Sequence, residues 1–461
     1  MVKNSSVHRR APAPPGEPAL PLPGALLAVT LFMLSADLLF IGVAGQKIKV
    51  GYFLVLGAWL TAPVPMFTIL RDALRRVPLY AWLPLFPLAV SVLTSASLRD
   101  SVAWSLWLAF DLFTIATIYV FLKAHAFSSG QVRTAATWGL AGIVFFAVLQ
   151  FVAIYLFRDI IFQPQAHFDV YRINGLAGWP HFLNIFSFLL LPVVLVQRRL
   201  PWATRVVLVL LTFVLVQSTA KTGWVLFVVL GCLLLLLDRR VFVRGYLLFL
   251  LPCVIVALLV PTPSLTPAAP ALSGAEKITR FSADLDITDK TTSGTDRVVI
   301  NKMGLRVWWR HPWFGVGPRA YDDYVFTRFE RELPGVSKLD GSGGINAKNE
   351  NIWIEFLSEC GALFTLTFLF VLCRALWVTR FAFANRLHLG TWIALVLYFG
   401  VSGQFSQTGL LTLAYGVLGI YFYAREFRTD PAPGDTQFGV TRMLPTQHPA
   451  GVSSTAAWEA S

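Results

Sequence analysis

Apolar runs of about 18 residues or more recur along most of this 461-residue chain. Each is long enough to cross a bilayer as a helix. Inside hydrocarbon the backbone must satisfy its own polar groups, so helices that span and pack together are the one way to fold such a chain. A hydrophobic fraction of 56% and a mean hydropathy of +0.64 agree. The expectation is an all-α polytopic membrane protein of about twelve spans. They are placed near 24–45, 50–70, 77–96, 101–122, 134–157, 181–197, 202–218, 222–238, 244–261, 351–373, 387–404 and 407–424. The gaps Thr219–Lys221 and Phe405–Ser406 are short enough to be tight hairpins, and one of them suits a re-entrant element.

The runs divide the chain into a flexible Pro-rich leader (1–23), a membrane domain of about nine spans (24–261), a long polar segment (262–350), a membrane domain of about three spans (351–424) and a polar tail (425–461). Lys and Arg in the short connections set the orientation. Arg71, Arg75, Arg76, Lys123, Arg133, Arg198, Arg199, Arg205, Arg239, Arg240, Arg244, Arg374, Arg380 and Arg386 fall on one side, which reads as cytoplasmic. The opposite loops carry Lys47, Lys49, Arg99, Arg158, Arg172 and Lys221. Both termini are then cytoplasmic, and 158–180 and 262–350 face outward, which in a bacterium is the periplasm. Much of the +13 net charge is this asymmetry and implies no nucleic acid. Cys232, Cys253, Cys360 and Cys373 fall within spans without metal-ligand spacing, which reads as buried thiols rather than disulfides. Walker, Rossmann and kinase motifs are absent, which disfavours a nucleotide-driven pump.

Four outward elements are candidates for chemistry. In Tyr171–His181, Gly175 and Gly178 permit a close turn, Pro180 suits a helix start, and Arg172 could grip phosphate with a forked pair of hydrogen bonds, or pair with Asp169. In Gln217–Trp224, Lys221 sits between two spans, where it either snorkels to headgroups or binds an anion at a helix start. Ser293–Arg297 opens a helix that ends before Pro312. Arg306 and Arg310 share one face of it and Arg297 lies nearly opposite Arg306, so the three cannot converge on one ligand, and Arg297 is the candidate. The fourth begins at Glu350. Asn351, Glu355 and Glu359 follow on one stripe expected to face the bundle interior, and Glu350, at the water boundary, is either a base or a carboxylate favoured by the helix dipole. Asp111, inside a span with no motif around it, reads as a structural hydrogen-bonding group.

Taken in order, these elements resemble the O-antigen ligase and polymerase superfamily of bacterial inner-membrane glycosyltransferases. The resemblance covers about Arg172 to Gly361. It rests on Arg172 before the Pro180-led span, the turn Ser218–Gly223, Arg297 upstream of a His-Pro-x-x-Gly-x-Gly signature at His311–Gly317, and the helix start Glu350–Ile354 leading to Glu359-Cys360-Gly361. Two positions depart from the family pattern: Lys221 stands where the family has Arg, and Glu350 stands where ligases carry His. The second departure implies the polymerase branch. The resemblance then implies a GT-C-like fold and an enzyme that polymerises undecaprenyl-pyrophosphate-linked repeats into O-antigen, capsule or exopolysaccharide by inverting transfer, without metal or cofactor. Arg172, Lys221 and Arg297 would hold the pyrophosphate, Glu350 and Asn351 would act on the acceptor hydroxyl, and His181, Arg306, Arg310, Glu355 and Glu359 would support them. The implied partners are the lipid-linked glycan, the bilayer, a chain-length regulator and a flippase. The alternatives are a ligase onto lipid A core, a solute transporter, and a non-catalytic scaffold. The absence of an internal repeat and the outer clustering of candidate residues weigh against the transporter.

Overall fold

The computed structural model describes residues 22–43, 46–157, 159–162, 165–167, 170–177, 180–195, 201–217, 251–259, 293–325, 351–379 and 408–426, with a few isolated positions between 228 and 243. Among them are helices α1 (Leu22–Ser35), α2 (Val50–Gly57), α3 (Pro63–Arg76), α4 (Leu85–Leu93), α5 (Leu98–Ala124), α6 (Ser129–Tyr155), α7 (Pro180–Leu195), α8 (Trp202–Gln217), α9 (Leu251–Leu259), α10 (Ser293–Arg310), α11 (Tyr321–Tyr324), α12 (Ile352–Thr379) and α13 (Thr408–Glu426). Two short antiparallel hairpins interrupt them: β1 (Phe40–Val43) with β2 (Gln46–Lys49), and β3 (Gln165–His167) with β4 (Val170–Arg172).

The protein is a helical membrane bundle. Among the described residues α5, α6 and α12 are long and apolar enough to cross a membrane, and α2 with α3 adds a fourth if that bent pair is one span. This is fewer than the twelve spans expected. The expected spans 222–238 and 387–404 lie almost wholly outside the described residues. The expected span 50–70 is not a straight helix. A 3-10 turn (Ala58–Leu60) follows α2, Ala62 leaves helical geometry, and Pro63 restarts the chain as α3 at about 100°. Pro63 tolerates a first helical turn but cannot donate to the turn before it, so the break falls there.

The core of the bundle is α1, α5, α6, α7 and α13. α13 packs most extensively on α5, where Gly416 and Gly419 let the backbones approach; a Cβ on Gly419 would come within 2.7 Å of the Ile115 carbonyl oxygen. α1 lies against α6 over Gly139 and Gly142, with Phe32 stacked on Phe146 at 5.4 Å. α6 starts with a capping box formed by Ser128 and Gln131. α2 and the 3-10 turn after it run along the middle of α5: Tyr52 meets Trp107 and Phe110, and Trp59 stacks on Phe113 and donates to Thr117 Oγ1 at 3.0 Å.

The β1–β2 hairpin leads directly into α2, with Phe40 and Ile41 exposed. Lys49 at its end is 6% exposed and ion-paired with Asp37. Buried Asp111 on α5 adds a favourable charge to Lys49. Cys232, Cys253, Cys360 and Cys373 are all free, with Cys232 and Cys373 exposed rather than buried.

Candidate functional site

The densest constellation joins the third and fourth sequence elements. α12 is two helices meeting at Gly361, whose φ of 78° and ψ of 174° break the ladder. Carbonyls before the break lose their partners one turn on, and the loop His311–Gly317 supplies replacements. Val316 N–H donates to the Ser358 carbonyl at 3.0 Å and Gly317 N–H to the Glu359 carbonyl at 2.8 Å. In return Ala362 N–H donates to the Pro312 carbonyl at 2.8 Å. Two backbones can lie this close only without Cβ atoms. A Cβ on Gly315 would sit 2.2 Å from the Glu359 carbonyl oxygen, and one on Gly361 would sit 2.2 Å from that of Trp313. Both glycines also have positive φ.

The N-terminal helices close this latch from the other side. Ser91 Oγ donates to the Glu359 carbonyl at 3.0 Å, Ala96 N–H to Val316 O at 2.9 Å, and Ser101 Oγ to Pro318 O at 2.6 Å. The Glu359 carboxylate accepts the Arg319 N–H at 2.7 Å, holding Arg319 in a left-handed conformation (φ 58°) with its side chain exposed. Behind the loop, Met303, Val307, Val316, Tyr321, Tyr324 and Val325 form a small separate core. There His311 Nε2 and the Tyr324 hydroxyl share a hydrogen bond at 2.9 Å. The Tyr321 hydroxyl is buried and makes no hydrogen bond among the described residues. Burial, with Asp322 and Glu359 adding to it, pushes this phenol above its usual pKa.

A second constellation holds the Arg172 turn. Gln150 of α6 is wholly buried. Its Oε1 accepts the N–H groups of Asn174 and Gly175, each at 2.8 Å. Its Nε2 donates to Asn174 Oδ1 at 2.6 Å and to the Ile161 carbonyl at 3.1 Å. Gly175 (φ 55°) lies against α6, and Leu38 N–H donates to the Leu176 carbonyl at 3.0 Å, so the segment leading into β1 meets this turn. Ile173–Ala177 is consequently buried, one residue after Arg172.

The sequence-derived candidates distribute as follows. Arg172 ends β4, His181 lies in the first turn of α7, and Arg297 lies in the first turns of α10. Arg306 and Arg310 are exposed on α10, which packs on α12. Asn351 caps α12: its Oδ1 accepts the N–H groups of Trp353 at 2.9 Å and Ile354 at 3.2 Å. Glu355 and Glu359 are both buried. Lys221 and Glu350 lie outside the described residues. Among the described residues no three His, Cys, Asp or Glu side chains converge in a group able to hold a metal ion.

Sequence reasoning missed Gln150, Ser91, Ser101 and Tyr321. Gln150, a polar side chain inside an apolar run, carried a readable signal. The serines carried none.

Residues 206–369 match the family model described as O-antigen ligase. The matched span takes in the His311–Gly317 loop, the break at Gly361 and α12 as far as residue 369. That segment is similar to the O-antigen ligase and polymerase superfamily. No curated protein sequence matches the chain. The latch explains the glycines of the signature. They allow one backbone to replace helix hydrogen bonds in another, which fixes where α10 and α11 sit over the start of α12.

Proposed function

We propose that the protein is a membrane glycosyltransferase that polymerises polyprenyl-pyrophosphate-linked oligosaccharide repeats on the outer face of the inner membrane, with both termini cytoplasmic. The O-antigen ligase match over residues 206–369, which takes in the latch and most of α12, supports the membrane glycosyltransferase part of this reading, and Glu350 standing where ligases carry His supports the polymerase part. In the proposed reaction an acceptor hydroxyl attacks the anomeric carbon of the donor sugar. The bond from that carbon to the pyrophosphate oxygen breaks, the electron pair leaves with polyprenyl pyrophosphate, and the hydroxyl proton passes to the Glu350 carboxylate. One displacement inverts the anomeric configuration. Arg172, Lys221 and Arg297 would stabilise the charge growing on the leaving pyrophosphate. Asn351, as the helix cap, would fix the backbone next to Glu350, and His181, Arg306, Arg310, Glu355 and Glu359 would support the site.

The matched family is described as O-antigen ligase, which supports a second reading. In that reading the protein transfers a finished glycan to lipid A core. Purified protein incubated with a lipid-linked repeat separates the two. A ladder of products rising by one repeat unit, with lipid A core absent, supports the polymerase. Transfer only when lipid A core is added reassigns the protein to the ligases. No transfer to either acceptor, from protein shown to be folded, rejects both.

A further inference from the structure

α3 has a form unlike that of the spanning helices. It is 14 residues, about 21 Å, against the roughly 20 residues needed to cross the hydrocarbon. It turns about 100° from α2, and α2 runs along α5. A helix that leaves the axis of a spanning helix at that angle lies in the plane of the membrane. The bend occurs at the end of α5 that carries Lys123, where the Thr61 hydroxyl meets His125 Nε2 at 3.0 Å.

Around its axis α3 has three sectors. Met66, Ile69, Leu70 and Ala73 form the first; Met66 is wholly buried and the others are half-buried where α3 packs on α5. Beside them Phe67 and Leu74 stay 65% and 47% exposed, an apolar edge turned away from the protein. The third sector carries Thr68, Arg71, Asp72 and Arg75, all exposed, with exposed Arg76 at its margin. Arg71 Nε lies 3.8 Å from Asp72 Oδ1, both half-exposed, while Arg75 and Arg76 have no ion pair among the described residues. Three guanidinium groups against one carboxylate leave the face basic. An apolar edge beside a basic face, on a helix held flat against the end of a spanning helix, matches the boundary between acyl chains and phosphate headgroups.

We propose that α3 is an in-plane helix that docks this end of the bundle on anionic phospholipid headgroups, with Phe67 and Leu74 inserted among the acyl chains and Arg71, Arg75 and Arg76 on the phosphates. Forked guanidinium contacts suit phosphate oxygens, and the positive-inside distribution puts this face at the cytoplasmic leaflet. The inference is independent of the glycosyltransferase reading.

The test uses the full chain with its native cysteines replaced and a single spin-labelled cysteine at Phe67 or Thr68, in phosphatidylcholine vesicles with phosphatidylglycerol. The Phe67 label should collide mainly with oxygen and the Thr68 label mainly with a water-soluble nickel complex. Two equally water-accessible labels, or two equally inaccessible ones, would overturn the in-plane geometry. Phosphatidylglycerol retained by the purified protein is then compared in wild type, R71Q/R75Q/R76Q and R71K/R75K/R76K. Each removed charge should weaken retention about fivefold, while the lysine variant should keep most of it, since it keeps the charges. Equal retention by wild type and the glutamine variant, with both folded, would overturn the headgroup contact.

Discussion

Replacing Gln150 with leucine tests whether one side chain holds the Arg172 turn inside the bundle. The change removes four hydrogen bonds. At about 0.6 kcal/mol each, the average inside membranes, their loss costs about 2.4 kcal/mol. A second route starts from the groups left behind. The N–H groups of Asn174 and Gly175 lose their acceptor while buried, at about 1–3 kcal/mol each, or about 2–6 kcal/mol. Leucine has a similar volume and suits apolar surroundings, which puts the expectation at the low end, about 2 kcal/mol. If that energy is what keeps Ile173–Ala177 buried, the open turn becomes about 30-fold more populated. A single cysteine in place of Ala177, which is 3% exposed, reports the opening through its maleimide labelling rate. Gln150→Leu should speed labelling about 30-fold, while Leu149→Ala, on the outward face of the same helix, should leave it unchanged. A rate within twofold of wild type in Gln150→Leu would refute the claim that these bonds pin the turn.

Other perturbations follow from the latch and the proposed site. Gly361→Ala and Gly315→Ala each combine a positive-φ strain of about 1–3 kcal/mol with an overpacking cost of about 1–3 kcal/mol; thermal unfolding in detergent should show both far less stable than Gly57→Ala, where a Cβ meets nothing within 4 Å. Asn351→Ala should cost about 1 kcal/mol of stability through the lost cap, read by the same assay. Turnover of a lipid-linked repeat should fall by about 10²-fold or more in Glu350→Gln, whereas a dipole role alone would cost about 0.3–1 kcal/mol of stability and leave turnover intact. Arg297→Lys should be impaired and Lys221→Arg active, because only the fork matches two phosphate oxygens at once.

How much of this could be read from the residues depends on the length scale of each feature. Long apolar runs made α5, α6 and α12 legible, because the bilayer demands them. The same averaging concealed the bend in 50–70: a hydropathy window is blind to Ala62 leaving the helix, although Pro63 and the arginines beyond it were a usable sign. The His311–Gly317 signature was legible as a motif but not as a latch. Its partners Ser91 and Ser101 sit over 200 residues away and look like any small polar residue in a span. The stripe of Glu355 and Glu359 followed from helical spacing alone, and both are buried. Gln150 was open to the rule that singled out Asp111, since each is a costly polar group in an apolar helix.

The break at Gly361 also constrains the order in which a ribosome and an insertion machine can build this protein. When residues 351–379 enter the membrane, the Ser358 and Glu359 carbonyls have no donor within their own helix, and the groups that serve them were synthesised earlier, at Ser91, Val316 and Gly317. The His311–Gly317 loop must therefore already be in place when α12 arrives. The last third of the chain completes what the first hundred residues began, so a nascent chain released before residue 361 leaves its early helices with hydrogen-bonding groups that only the missing part can satisfy.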